Sequence, residues 1–185
     1  SINHGVDAVI TVFSSNNTLL WSTFLGGYGG NEWALGLTVS AGNIFVTGAY
    51  AGWDYPVTLS AAQMSYGGGG HDAFVASFDM SGSLLWSTFF GGTVTDYLTD
   101  VAITPGGDVL VCGYSTSQNL PVSSCMYDRL LPGRAIVVAK YSNGGSMLAS
   151  TYFGGGEDEA FSIAANDEIH ALIAGKCSNP YPVTL

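Results

Sequence analysis

The sequence predicts an all-β fold built from repeated four-stranded antiparallel sheets stacked face to face, and three observations predict it. A nine-residue stretch is written three times, as LLWSTFLGG from Leu19 to Gly27, LLWSTFFGG from Leu84 to Gly92 and MLASTYFGG from Met147 to Gly155. The copies begin 65 and then 63 residues apart, a period that belongs to repeat architectures whose units bury their faces only against neighbours. Between the copies run short β-branched and aromatic segments bounded by turn residues, and one strand of every unit carries a glycine in register at Gly48, Gly113 and Gly175.

The elements follow in order. Each unit opens on an apolar strand, DAVITVF from Asp7, DAFVASF from Asp72 and AIVVAKY from Ala135, the third without the leading aspartate. Polar turns (SSNNT, DMSGS, SNGGS) then lead into the nine-residue stretch, which makes a β-hairpin of each pair. After the double glycine comes a short acidic loop. A further strand follows at Ala34 to Val39, Leu98 to Thr104 and Ala160 to Ala164, and a turn leads to NIFVTGAY from Asn43, DVLVCGYS from Asp108 and HALIAGKC from His170. This is a second hairpin, and the glycine inside its last strand marks a bulge or a close backbone approach. A longer excursion carrying a repeated Pro-Val (Pro56-Val57, Pro121-Val122, Pro182-Val183) returns to the next unit. Proline places it in a loop or at a sheet edge. Leu84, Leu85, Trp86, Phe89 and Phe90 put apolar groups on both faces of one strand, as sheets covered on both sides require. Stacked blades of a propeller provide that cover.

The phase of the repeat sets the blade count. With the hairpin after the acidic loop as the inner pair of strands, the chain holds two complete blades, about Ala34 to Phe90 and Leu98 to Phe153, flanked by two half blades. Residues 1–185 read as one repeat domain with units at about 7–71, 72–134 and 135–185. Propellers need at least four blades, so the chain is expected either to belong to a longer propeller or to pair its half blades with other copies. Head-to-tail pairing closes a ring or grows a filament, according to the rotation. The open edges fall at Leu19, Leu20, Trp21 and Phe24 on one side and at Leu172 and Ile173 on the other. The paired glycines are expected to let the backbone turn between blades.

The stretches DAFVASFDMSGSLLWSTFFGG, Asp72 to Gly92, and DVAITPGGDVLVCGYSTSQNLPV, Asp100 to Val122, resemble the bacterial SBBP repeats, a seven-bladed β-propeller family. The likeness extends over residues 7 to 185, with Ala149 standing where the other copies carry Trp21 and Trp86. It implies four-stranded blades and an extracellular or cell-surface location, and it carries over no catalytic residue.

Composition excludes several classes. Four basic against fourteen acidic residues, a net charge of −10, repel a phosphate backbone and an anionic membrane. The longest aliphatic run, Ala135 to Ala139, is far short of the roughly 20 residues of a transmembrane helix. There is no basic segment followed by an apolar one, so any signal peptide is expected to have been removed already or to lie outside this sequence. Cys112, Cys125 and Cys177 have no metal-ligand spacing and read as buried thiols, with a Cys112–Cys125 bridge as the alternative.

Chemistry is expected on the face that carries the acidic loops and the Pro-Val excursions, since loops on a rigid scaffold concentrate function. That face holds Tyr28, Glu32, Trp33, Trp53, Asp54, Tyr55, Tyr66, Asp96, Tyr97, Glu157, Asp158 and Glu159. Trp33, Trp53, Asp54, Tyr55, Asp96 and Tyr97 suit glycan binding, with rings to stack on sugars and carboxylates to bond hydroxyls. The competing reading is that Trp53 and Tyr55 fold back over the outer blade edge. Glu157, Asp158 and Glu159 could ligate calcium, although the spacing is neither an EF-hand nor a calcium-binding nonapeptide; solvated acidic loops are the plainer expectation. His4, His71 and His170 occupy unrelated repeat positions, and no hydrolase or nucleotide-binding motif occurs, so no enzyme is expected. Asn16-Asn17-Thr18 matches a glycosylation acceptor in a hairpin turn. The functional expectation is a non-catalytic structural or adhesive propeller module, with glycan binding or processing as the alternative.

Overall fold

The computed structural model describes residues 5–27, 29–52, 54–123, 133–168 and 170–178. Tyr28, Trp53, Cys125, Pro182 and Val183 therefore lie outside the described residues, as does His4. Twelve strands run in chain order: β1 Ala8–Phe13, β2 Leu19–Leu25, β3 Glu32–Ser40, β4 Asn43–Tyr50, β5 Asp72–Asp79, β6 Leu84–Phe90, β7 Asp96–Ile103, β8 Val109–Ser115, β9 Ala135–Tyr141, β10 Met147–Phe153, β11 Glu159–Ala165 and β12 Ala171–Lys176. They form four antiparallel sheets, β1-β2, β3-β4-β5-β6, β7-β8-β9-β10 and β11-β12. Two complete blades thus stand between two half blades, as parts of an incomplete ring. Inner strands of successive blades adjoin: β3 and β4 pack on β7, and β7 and β8 on β11.

Three apolar layers fill the gaps between sheets. Ala8, Ile10 and Leu25 meet Ile44, Val46, Phe74 and Phe89 between the first half blade and its neighbour. Phe45, Val75, Trp86 and Phe90 meet Leu98, Val101, Val137 and Tyr141 between the complete blades. Leu110, Cys112 and Ile136 meet Ala160 and Ile163 at the last half blade. Residues of β5 and β6 face both layers, which is why their sequences lack polar alternation.

β3 and β7 begin two residues earlier than the sequence suggested and β11 one, because Glu32 pairs with Tyr50, Asp96 with Ser115 and Glu159 with Lys176 at the heads of their ladders. Each inner strand then bulges at Ala34/Gly36, Leu98/Asp100 and Ala160/Ser162. The recurrent strand glycine answers that bulge. A Cβ on Gly48, Gly113 or Gly175 would lie 1.8, 1.9 or 2.1 Å from the carbonyl oxygen of Trp33, Tyr97 or Glu159. The paired glycines differ from expectation. Among them only Gly154 and Gly155 take positive φ; in the earlier copies a Cβ on Gly91 would strike the Asp72 carboxyl and one on Gly26 the Glu32 carboxyl. Space for a buried carboxyl, not backbone freedom, calls for glycine there.

The Pro-Val excursions cover the outer edges. Between β4 and β5 the chain runs along β6, with Thr58 N–H donating to Ser87 O, Phe89 N–H to Gln63 O, and the Ser87 hydroxyl to Pro56 O. The next excursion repeats this on β10, through Ser123 N–H to Ser150 O and the Ser150 hydroxyl to Pro121 O. An otherwise unpaired strand edge is thereby closed.

Candidate functional site

The loop face is built around a buried carboxyl that occurs three times and clasps the loop in two of them. At the head of β7, Asp96 accepts Gly92 N–H at 2.7 Å and the Ser115 and Ser117 hydroxyls. Before β11, Asp158 accepts Gly155 N–H at 2.9 Å and Ser178 N–H at 2.7 Å. At the head of β3 the longer Glu32 reaches back toward Gly27 and Asp7 across a longer loop. All three carboxyls are buried, so these acids turn inward rather than being solvated as expected, while Glu157 keeps its side chain 70% exposed. In the second and third copies the turn from outer to inner strand leaves amides without ladder partners, and the carboxylates of Asp96 and Asp158 satisfy them.

Electrostatics sort the clasps. Burial raises the Asp96 carboxyl, and hydrogen bonds from Ser115, Gly92 and Ser117 oppose that. Glu32 has no hydrogen bond of good geometry on either oxygen; burial, then its contact with Asp7, pushes it up to about 7. Asp72, at the head of β5, is likewise pushed up to about 7 by burial, opposed by Gly67 N–H at 2.6 Å and the Gln63 amide.

A second recurrent device ties each blade to the next. The residue before the third strand of a blade offers its carbonyl to the inner strand of the following blade: Val6 O to Glu32 N–H, His71 O to Asp96 N–H and Arg134 O to Asp158 N–H. The side chains at these positions line a half-buried ladder. Trp33 lies 4.8 Å from His71 and 6.4 Å from Tyr97, His71 lies 5.2 Å from Tyr97, and Tyr97 stacks on Tyr114 at 4.9 Å. Arg134 sits 4.7 Å over the Tyr114 ring and pairs with Glu159, which Lys176 also contacts at 3.2 Å. Burial lowers the His71 imidazole and raises the Tyr97 and Tyr114 phenols.

Of the residues named from sequence for glycan binding, Trp33 and Tyr97 come together in this ladder. Tyr55 is buried against Tyr50, Phe74 and Phe89, and Asp96 is enclosed in its clasp. Asp54 is exposed and accepts the Tyr50 hydroxyl. Trp53 falls outside the described residues. Tyr114 and Arg134 were not named from the sequence, and His71 was read only as a histidine at an unrelated repeat position, although His71 and Arg134 share one repeat position directly before the third strand. Glu157, Asp158 and Glu159 do not converge: Asp158 faces its clasp, while Glu157 and Glu159 face Arg134, Glu157 at 3.7 Å. No group of three or more His, Cys, Asp or Glu suited to a metal occurs among the described residues. Cys112 is a free buried thiol pushed up to about 12 by burial, and Cys177 is free and exposed.

The repeat also serves as its own control for the open edges. Phe24 is 57% exposed while its counterpart Phe89 is 2% exposed; Phe13 is 60% exposed against 4% for Phe78. Val9, opposite Phe24, is likewise exposed where Phe74 is buried. Leu20 is different, because its counterpart Leu85 is exposed even in a complete blade. Leu19 and Leu172 are exposed. Trp21 and Ile173 are already partly covered by the adjoining blades. Compared with known proteins, the chain matches no family model and is similar to no curated protein at a significant level.

Proposed function

We propose that this chain is a non-catalytic structural or adhesive β-propeller module of the SBBP type, working outside the cell or at its surface, that acts by lateral contact through its open half blades. The observation that carries this reading is the contrast between Val9, Phe13 and Phe24 and their buried counterparts Phe74, Phe78 and Phe89. An apolar set built for a blade interface is left open to solvent, and such patches mark interaction surfaces. The partner is either another copy or further blades of a longer chain. Native mass measured across a concentration series tests the reading: the wild type gains mass with concentration and Phe24→Asp loses that gain by about tenfold or more in apparent Kd. A chain that stays monomeric throughout and binds no further propeller segment would overturn it.

The Trp33–His71–Tyr97–Tyr114 ladder supports a second reading, glycan binding by stacking on half-exposed rings. A glycan array probed with wild type and Tyr97→Ala decides it, since a carbohydrate site on this ladder loses its signal in the variant.

A further inference from the structure

Blades are joined at their rim by a tryptophan over a glycine. Trp21 on β2 donates its indole N–H to Met80 O at 2.8 Å in the β5–β6 turn, and Trp86 on β6 donates to Asn143 O at 2.8 Å in the β9–β10 turn. Each ring lies against a turn glycine; a Cβ on Gly82 would stand 3.2 Å from Trp21 and one on Gly145 2.6 Å from Trp86. Two positions break the pattern. The third outer strand has Ala149 in place of the tryptophan, and the first turn has Asn17 in place of the glycine, in the same left-handed backbone at φ 62°. Beside Ala149 a hollow of about 110 Å³ opens among Val138, Lys140 and Thr151. It lies on the face that Val138 turns toward β11–β12.

Bulk lost at 149 thus reappears at 17, yet in one chain these residues lie in different sheets with the whole β3–β6 blade between them. They would meet if the β1–β2 hairpin of one chain completed the β11–β12 half blade of another. We infer that the open half blades take a second copy of this chain, the two hairpins forming one composite blade in which Asn17 of the incoming turn fills the hollow at Ala149. This rests on the lateral-contact reading above and adds the partner, the orientation and the register.

The register follows from the complete blades. Gly48 faces Phe74 and Gly113 faces Val137, so Gly175 stands opposite Val9 of the second copy, Lys176 opposite Ala8 and Cys177 opposite Asp7. Exposed groups then cover each other: Phe161 and Leu172 meet Leu37 and Val39 of the second copy's β3, all four open in the single chain.

Two measurements on the full chain test the composite blade. The first is a double-mutant cycle on assembly, read as apparent Kd from native mass against concentration. Ala149→Trp alone weakens association about tenfold or more, because the indole meets the Asn17 side chain; adding Asn17→Gly restores wild-type affinity or better, by rebuilding the interior contact. The second is oxidation of Asp7→Cys in a Cys125→Ser background. Paired strand residues lie about 4.5–5.5 Å apart, within disulfide reach, so the new thiol bonds Cys177 of another copy, and Cys177→Ser abolishes the product. Association without coupling and without this cross-link overturns the composite blade and leaves lateral contact standing. A chain monomeric at every concentration, with no cross-link, overturns the composite blade, and overturns lateral contact as well when it also binds no further propeller segment.

Discussion

Glu32 and Asp72 are carboxyls that folding carries away from water, and both are held near 7 against ordinary values of 4.5 and 3.8. The folded state therefore binds more protons than the unfolded chain between about pH 4 and pH 7, and stability falls as pH rises through that window. Denaturant midpoints should be higher at pH 5 than at pH 8. Glu32→Gln, which cannot ionise, should remove Glu32's share of the dependence, leaving that of Asp72, and raise stability at pH 8 by roughly 1–3 kcal/mol, because the neutral amide replaces a carboxylate charge held away from water without a hydrogen-bond partner. A midpoint that climbs with pH in the wild type would contradict this. The opposite sensitivity belongs to the strand glycine. Gly113→Ala drives a Cβ into the Tyr97 carbonyl, and chemical unfolding should show a loss of about 2–4 kcal/mol.

At the scale of elements, the outer hairpins β5–β6 and β9–β10 are each held from two sides: the excursion closes the edge and the preceding blade's tryptophan grips the turn. Trp86 sits between Phe45 and Tyr141 and bonds Asn143 O, so Trp86→Ala should cost about 3–5 kcal/mol. Trp21→Ala should cost less, because Trp21 is only partly buried. Equal losses in thermal unfolding would show that the two rim contacts do not differ in this way. The excursions explain why serine recurs in the nine-residue stretch: Ser87 and Ser150 bind proline carbonyls, whereas Ser22 bonds Thr11.

Across the whole molecule, large apolar groups stand exposed on β1–β2 and β11–β12, while each copy carries a net charge of −10. Association through these faces should strengthen as added salt screens the repulsion between copies, and should fail in Phe24→Asp while unfolding of the monomer changes by less than about 1 kcal/mol. Sedimentation at low and high ionic strength checks both. Association that weakens with salt would instead point to paired unlike charges at the contact.

Blade number, strand order and the phase of the repeat were legible in the chain, because a strand's own residues and turns are local and the repeat prints them three times. So was the absence of a tryptophan at 149. What the sequence could not disclose was where each side chain goes once sheets stack. Asp96 and Asp158 look like surface acids until the glycine amides of the loop close on them, and Tyr55 looks like a ring on a loop until it is seen beneath Tyr50 and Phe89. The His71–Tyr97 and Arg134–Glu159 contacts join residues of different blades. Strand propensity and periodicity are properties of a segment; burial and pairing across a blade interface are properties of two segments brought together, and only the tertiary structure decides them.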